Sequence, residues 1–204
     1  MSEFGRTMFV PPARRAAVDL RRRRQGWRVV LRYLEHAFAV VGILVTVYYF
    51  GFRYSVIVSE SMSPTLQGSS AADGDRVITE RCSYYLRDPR RWEVVTIVGE
   101  DGGEIMKRVV GLPGEQIQML HGGQLLIDGR PVRPPPALDF LKYVAYGNLH
   151  ADNRVPCGDE YFVLGDESLD SDDSRFQGTV PRQRIIGRPW LVVAPSGRRG
   201  WVQP

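Results

Sequence analysis

The chain has few of the residues that most often carry metal or redox chemistry: its 204 residues include two cysteines and three histidines. Neither Cys82 nor Cys157 stands in a metal-ligand or catalytic spacing, and their separation in sequence leaves a disulfide and two free thiols both open. His121 lies in His121-Gly122-Gly123, which reads as an exposed hairpin turn, and His150 follows the loop-like Gly147-Asn148-Leu149. Asp166, Asp170, Asp172 and Asp173 crowd one segment, but no glycine holds the sharp-turn position of an EF-hand, which argues against a calcium loop. Internal repeats and the signs of a second folded domain are also missing.

Positive charge is scarce outside one end. Residues 1–36 hold nine Arg against three acidic residues, so of the formal +4 the remainder of the chain carries about −2, with 18 Lys/Arg against 20 Asp/Glu. A nucleic-acid-binding domain would carry its excess on the folded part, which counts against that class. Long apolar runs are equally rare. The single one, Ala37 to Phe52, has sixteen residues without a charge. It spans roughly 24 Å at 1.5 Å per residue, short of the usual core of about 30 Å. Leu34 and Tyr54 extend it, with Arg53 snorkelling and Tyr48, Tyr49 and Tyr54 suited to the interface. The charged stretch before the run is too long for a cleaved signal peptide and no Ala-x-Ala-like site follows, so the span is expected to be retained. Positive-inside bias puts the Arg-rich end in the cytoplasm and everything after the span outside. His36 then lies across the membrane from the rest.

The expected organisation is an Arg-rich tail over 1–33, a transmembrane anchor over 34–54 and an extracytoplasmic domain over 55–204. In that last part β-branched and apolar runs recur between turn signals: Arg76–Thr79, Glu93–Val98, Glu104–Val110, Gln116–Leu120, Leu125–Ile127, Tyr161–Leu164 and Pro189–Val193. Glu100-Asp101-Gly102-Gly103 and His121-Gly122-Gly123 read as hairpin connections, and Pro134-Pro135-Pro136 as a stiff surface loop. The fold class is mainly β, an antiparallel-sheet domain behind one N-terminal transmembrane helix.

Just past the span stands Ser59-Glu60-Ser61-Met62-Ser63-Pro64-Thr65-Leu66, and Lys107 follows inside an extended segment with Ile105, Met106, Val109 and Val110 around it. A serine hydroxyl needs a neighbouring base before it attacks a carbonyl. Lysine can serve when an apolar setting disfavours its ammonium form, lowering a free pKa of about 10.4. Taken alone, a serine beside a Pro-Thr turn is a loop residue and a lysine in a strand belongs to a solvated face.

The combination resembles a known family. Residues 59–66 are similar to the nucleophile box of bacterial type I signal peptidases (leader peptidases), MKRVVGLPGE (106–115) to their lysine box, and YFVLGDESLDSDDSR (161–175) to their C-terminal box. GDRVI from Gly74 and RRWEVVTI from Arg90 resemble the minor boxes between them, in the family's order across about two thirds of the chain. The resemblance implies Ser61 as nucleophile, Lys107 as general base, Ser59 as an oxyanion hydroxyl beside the Ser61 N–H, and Ser171 as the hydroxyl that orients the amine. It implies Asp173 and Arg175 as site support and Ile57, Val58 and Met106 as groove walls. Metal and cofactor are not part of it. The implied partners are secretory preproteins with small residues before the cut, the lipid bilayer and the export translocon, with no nucleic acid; the implied location is the cytoplasmic (inner) membrane.

The chain departs from the pattern at Glu60 and Trp92, where glycine is usual, at Val58 for proline, and at Glu167-Ser168-Leu169 for Asn-Arg; no catalytic group is lost. Two other readings share some of these features. A self-cleaving Ser/Lys protease of the repressor type would use the same dyad but lacks a place here for a DNA-binding helix pair. A membrane-tethered module that binds signal peptides without cutting them would keep the groove and lose the chemistry.

Overall fold

The computed structural model describes residues 12–202, with residues 12–26 as backbone only, so most side chains of the Arg-rich tail lie outside the described residues. One helix, α1, runs Pro12–Gly51. Proline suits a first helical position, and Ala, Leu and Arg keep the helix going. Its stretch Trp27–Gly51 is 25 residues, apolar and long enough to cross a membrane. At 1.5 Å per residue it reaches about 37 Å, which clears a hydrocarbon core of about 30 Å.

The helix closes at Gly51, short of the expected boundary at Tyr54, and the next residues form a strand. The strands are β1 Phe52–Val56, β2 Arg76–Glu80, β3 Val94–Val98, β4 Glu104–Gly111, β5 Gln116–Met119, β6 Leu125–Ile127, β7 Arg130–Val132, β8 Val155–Pro156, β9 Phe162–Leu164, β10 Ile185–Ala194 and β11 Gly200–Trp201. Tyr54 pairs with Ile78 across β1 and β2. Arg53, at the end of the expected span, is exposed and its Nε donates to Glu104 Oε1 at 2.8 Å. Backbone pairing and a carboxylate partner outcompete extension of the helix at this point.

One sheet has the order β1-β2-β10-β3-β4-β9, with β11 added on β10, and a second has the order β7-β6-β5-β8. All the named pairings are antiparallel. Both glycine turns close hairpins, β3 to β4 and β5 to β6, with Gly102 at φ 80° and Gly122 at φ 88°. The runs read from sequence all become strands. β1, β7, β8 and β11 were not legible: β1 hides at the end of the apolar run, β8 and β11 have two residues each, and β7 contains Pro131. Proline is tolerated there because β7 is an edge. Pro189 sits in β10 where the register with β2 shifts, a bulge that accommodates the missing N–H. Cys82 is exposed and Cys157 buried, and both are free thiols, which decides the open question of pairing.

Three apolar cores hold the sheets. Ile57, Met62, Leu66, Val77, Val94, Met106 and Val192 pack beneath the Ser61 loop. Val95, Ile97, Val109, Val163 and Ile185 form a second core, and the β5–β6 hairpin packs with Trp92, Val110, Phe162 and Leu164 in a third. β4 runs through the middle and is buried from Met106 onward. Side chains alternate along a strand, so Lys107 and Arg108 leave β4 on opposite faces.

Trp92, one of the departures noted above, has φ 71°, the left-handed region that favours glycine. Its N–H donates to Val109 O and its side chain is 9% exposed in the third core. A left-handed non-glycine residue costs roughly 1–2 kcal/mol, whereas losing a buried aromatic costs about 3–5 kcal/mol. Packing therefore wins. Trp92→Gly should lower stability by roughly 2 kcal/mol in a denaturant titration, despite restoring the residue usual in the resembling family.

Candidate active site

Ser61 rides on the loop between β1 and β2. The loop is closed by Ile57 N–H donating to Asp75 O at 2.9 Å, and by Gly68 and Gly74, where a Cβ would meet Ile57 O at 2.2 and 1.8 Å. Asp75 is itself anchored by Gln67 N–H and by the Arg198 guanidinium. Leu66 and Met62 plug this polar, turn-rich segment into the core below. Ser61 is 8% exposed and its Oγ lies 3.0 Å from Ser59 Oγ.

Lys107 projects from β4 and is 5% exposed. Its Nζ donates to Ser171 Oγ at 2.9 Å. Burial pushes the Lys107 ammonium below the usual lysine range, and the Asp173 and Asp172 carboxylates pull back the other way. The net direction favours the neutral amine, the form with a lone pair. Ser59, Ser61 and Lys107 line one groove of about 340 Å³, together with Ile57, Val58 and Met106. Ile57 and Met106 are buried walls continuous with the core, while Val58 is an exposed rim.

The segment after β9 supplies the rest. Glu167 N–H donates to Ser61 O at 3.1 Å, joining this segment to the Ser61 loop. Asp173 caps the one-turn helix Ser174–Gln177 by accepting from Arg175 N–H, and its other oxygen accepts from Gly165 N–H at 3.0 Å. The Arg175 guanidinium grips Asp173 through both oxygens at 2.8 Å and bonds Ser168 Oγ and Ser168 O. Ser168, part of a departure from the resembling family's pattern, thus has a structural use; it also accepts from Val144 N–H. Glu60 is exposed and has no left-handed backbone, so glycine is not required there.

Sequence reasoning assigned no supporting role to three residues that lie inside the quoted boxes, Arg108, Asp166 and Thr65. Arg108 and Asp166 form a fully buried pair, Nε to Oδ1 and Nη2 to Oδ2 each at 2.7 Å. Arg108 also donates to Trp92 O at 2.6 Å and to Thr65 Oγ1 at 3.2 Å, and Thr65 in turn donates to Asp166. The signal available in sequence was charge inside two apolar strands' ends, Lys107-Arg108 and Gly165-Asp166. Asp166 and Asp173 are spent on arginines. His121 lines a cavity other than the groove, and His36 Nδ1 lies 2.6 Å from Arg32 O within α1.

A serine hydroxyl and a buried, desolvated amine that open on one apolar-walled groove are an arrangement suited to acyl transfer. The sequence matches the family described as signal peptidase, peptidase S26, over residues 30–194. This chain belongs to that family. It is 36% identical to a signal peptidase I of Leptolyngbya laminosa over 162 residues, covering 72% of this chain and 71% of that protein. A signal peptidase I of Mycobacterium tuberculosis is 30% identical over 220 residues, covering 81% of this chain and 74% of that protein. The crystal structure of a signal peptidase I from Enterococcus faecalis is 28% identical, covers 50% of this chain and 97% of that one, and superposes with a TM-score of 0.38.

Gly165 lies where the Ser171 and Ser61 segments meet. A Cβ there would lie 2.2 Å from Ser171 Oγ and 2.5 Å from Ser61 O. Gly165→Ala must therefore separate the Ser171 side from the Ser61 side. Cleavage should fall at least about 100-fold, since small misplacements of reacting groups cost that much, while circular dichroism retains the β signal.

Proposed function

We propose that this chain is a membrane-anchored serine endopeptidase that removes signal peptides from exported preproteins, with Ser61 as nucleophile and Lys107 as general base. The observation that carries the reading is the buried Lys107 amine, bonded to Ser171 Oγ and opening on the same groove as Ser61. Ser61 Oγ attacks the scissile carbonyl as its proton passes to the Lys107 amine. The resulting ammonium then protonates the leaving amine as the C–N bond breaks, giving an acyl-enzyme. A water, deprotonated by the same amine, hydrolyses the ester and frees Ser61. Ser171 takes one amine N–H and so orients the lone pair. Ser59 Oγ, 3.0 Å from Ser61 Oγ, would join the Ser61 N–H in binding the developing oxyanion. Asp173 and Arg175 keep the Ser171 segment in register.

Ile57, Val58 and Met106 give the groove shallow apolar walls. Small side chains, chiefly alanine, fit at the first and third positions before the cut, because larger groups overpack. Residues 34–51 serve as the core of the anchor and 55–204 as the extracytoplasmic catalytic domain in the cytoplasmic membrane, with the Arg-rich tail inside. Lipid contact is supported by aromatics on and beside β1: Trp190 lies 6.1 Å from Phe52 and 4.7 Å from Trp201, and Tyr54 and Trp201 are exposed. Tryptophan and tyrosine suit the membrane interface. The export translocon is the source of the preproteins.

Mass spectrometry of a preprotein incubated with the detergent-solubilised chain tests the chemistry. A single cut after a small residue is expected, with rates that rise as pH climbs through the lowered Lys107 pKa, since only the neutral amine accepts a proton. Lys107→Arg keeps the charge and stays protonated, so it should be as inactive as Ser61→Ala, while His121→Ala and His150→Ala still cleave. Near-normal cutting by a folded Lys107→Arg chain would remove Lys107 from the base role. The same preprotein with Phe just before the cut should react roughly 10–200-fold more slowly.

Topology is tested separately. Protease added to intact spheroplasts should digest the part after Tyr54. Full protection there, with digestion once the cells are permeabilised, would reverse the orientation.

A further inference from the structure

Several charged groups surround the Lys107 amine, and they are not equivalent. Asp173 is gripped by Arg175 and Asp166 by Arg108, each through two hydrogen bonds and almost fully buried. Glu104, on the same strand, holds Arg53 with one oxygen and Ser55 Oγ with the other. Across the small cavity behind the amine, Glu100 pairs with Arg184 at 3.7 Å. Exposed Glu60 adjoins Ser61. Asp170 lines the groove, with no side-chain partner among the described residues. Asp172 has no ion pair among them either, but it is held: its Oδ2 accepts from Gln177 Nε2 at 2.7 Å. Asp172, Gln177 and Lys107 together line both the groove and the small cavity.

We propose that Asp172 is a positioning residue for the peptidase reaction: its carboxylate, pinned by Gln177 at the lip of the groove, stabilises the ammonium that Lys107 becomes on taking the Ser61 proton. This rests on Lys107 being the base. Asp173 pulls the amine towards its charged form most strongly, but the Arg175 guanidinium that grips it acts the other way and offsets part of that pull. Asp172 has no guanidinium counterweight among the described residues, so its pull is not offset in this way. Burial alone would make the amine neutral but also a feeble proton acceptor, and a base works best when its pKa lies near the working pH. Asp172 offsets part of that burial. Because Asp172 is exposed, its effect is modest and sensitive to salt.

The chain has two lysines, Lys107 and the exposed Lys142, so lysine-selective 13C labelling of the full detergent-solubilised chain reports each Cε titration directly, with Lys142 as internal reference. Asp172→Asn removes the charge and keeps an acceptor for Gln177. Without the carboxylate the ammonium is less favoured, so the Lys107 midpoint should move to lower pH. The rising limb of kcat/KM, scaled to each variant's own plateau, should move with it. At a pH on that limb the scaled activity should exceed wild type by about two- to fivefold, the range expected for a solvent-screened charge pair. Asp172→Glu should bring the limb back towards wild type. In the wild-type chain, raising salt from about 0.05 to 0.5 M should shift the midpoint the same way as Asp172→Asn.

A Lys107 midpoint that stays put or rises in Asp172→Asn, or an equal shift in Asp170→Asn, overturns the proposal and leaves Lys107 as base. A wild-type Lys107 that titrates with Lys142, or a Lys107→Arg chain that cleaves, overturns the base assignment and this proposal with it.

Discussion

The structure depends on one buried ion pair. Arg108 leaves β4 on the face away from Lys107 and spends its donors on three separate segments: Asp166 after β9, Thr65 in the Ser61 loop and Trp92 O before β3. Both charges are taken wholly out of water, a cost that good geometry and extra hydrogen bonds must offset. A buried pair of this kind is weak as a source of stability. Its use here is geometric, since neither side chain can shift without stranding a charge. The Ser61 loop, the Ser171 segment and the Lys107 strand are thereby held to one another.

The second constraint is the division of labour along β4. Neighbouring residues of a strand face opposite ways, so Lys107-Arg108 sends one cation into the floor and the other to the groove. The floor cation is permanently charged and fully paired. The groove cation is desolvated, bonded to a neutral hydroxyl, and pushed towards its uncharged form. Exchanging the two residue types would defeat both the ion pair and the base role proposed for Lys107, because guanidinium cannot act as a base and an ammonium cannot fork across a carboxylate.

A third feature is how the catalytic part tolerates irregular backbone. Trp92 is held in a left-handed conformation by Val109 and Arg108 and by burial of its ring. Gly165 is kept bare by the close approach of Ser171 and Ser61. In both places local backbone preference yields to the packing of groups that must meet.

Much was legible in the sequence because it is encoded locally. The apolar run, the alternating runs that became strands, the glycine turns of two hairpins and the boxes around Ser61, Lys107 and Ser171 depend on neighbours along the chain, and periodicity or family resemblance reads them. The limits of α1, the strand at Phe52–Val56 and the partner of Arg53 were not legible, because a residue at the end of an apolar run takes its conformation from a strand more than twenty residues away. The sequence by itself determined the class of chemistry and which residue types could perform it. Tertiary structure decided which charges cancel: Asp166 and Asp173 against arginines, Asp172 against none among the described residues. Spacing cannot show this, since residues 43 to 64 positions apart, such as Thr65 with Arg108 and Lys107 with Ser171, come within hydrogen-bonding reach only once the sheets close.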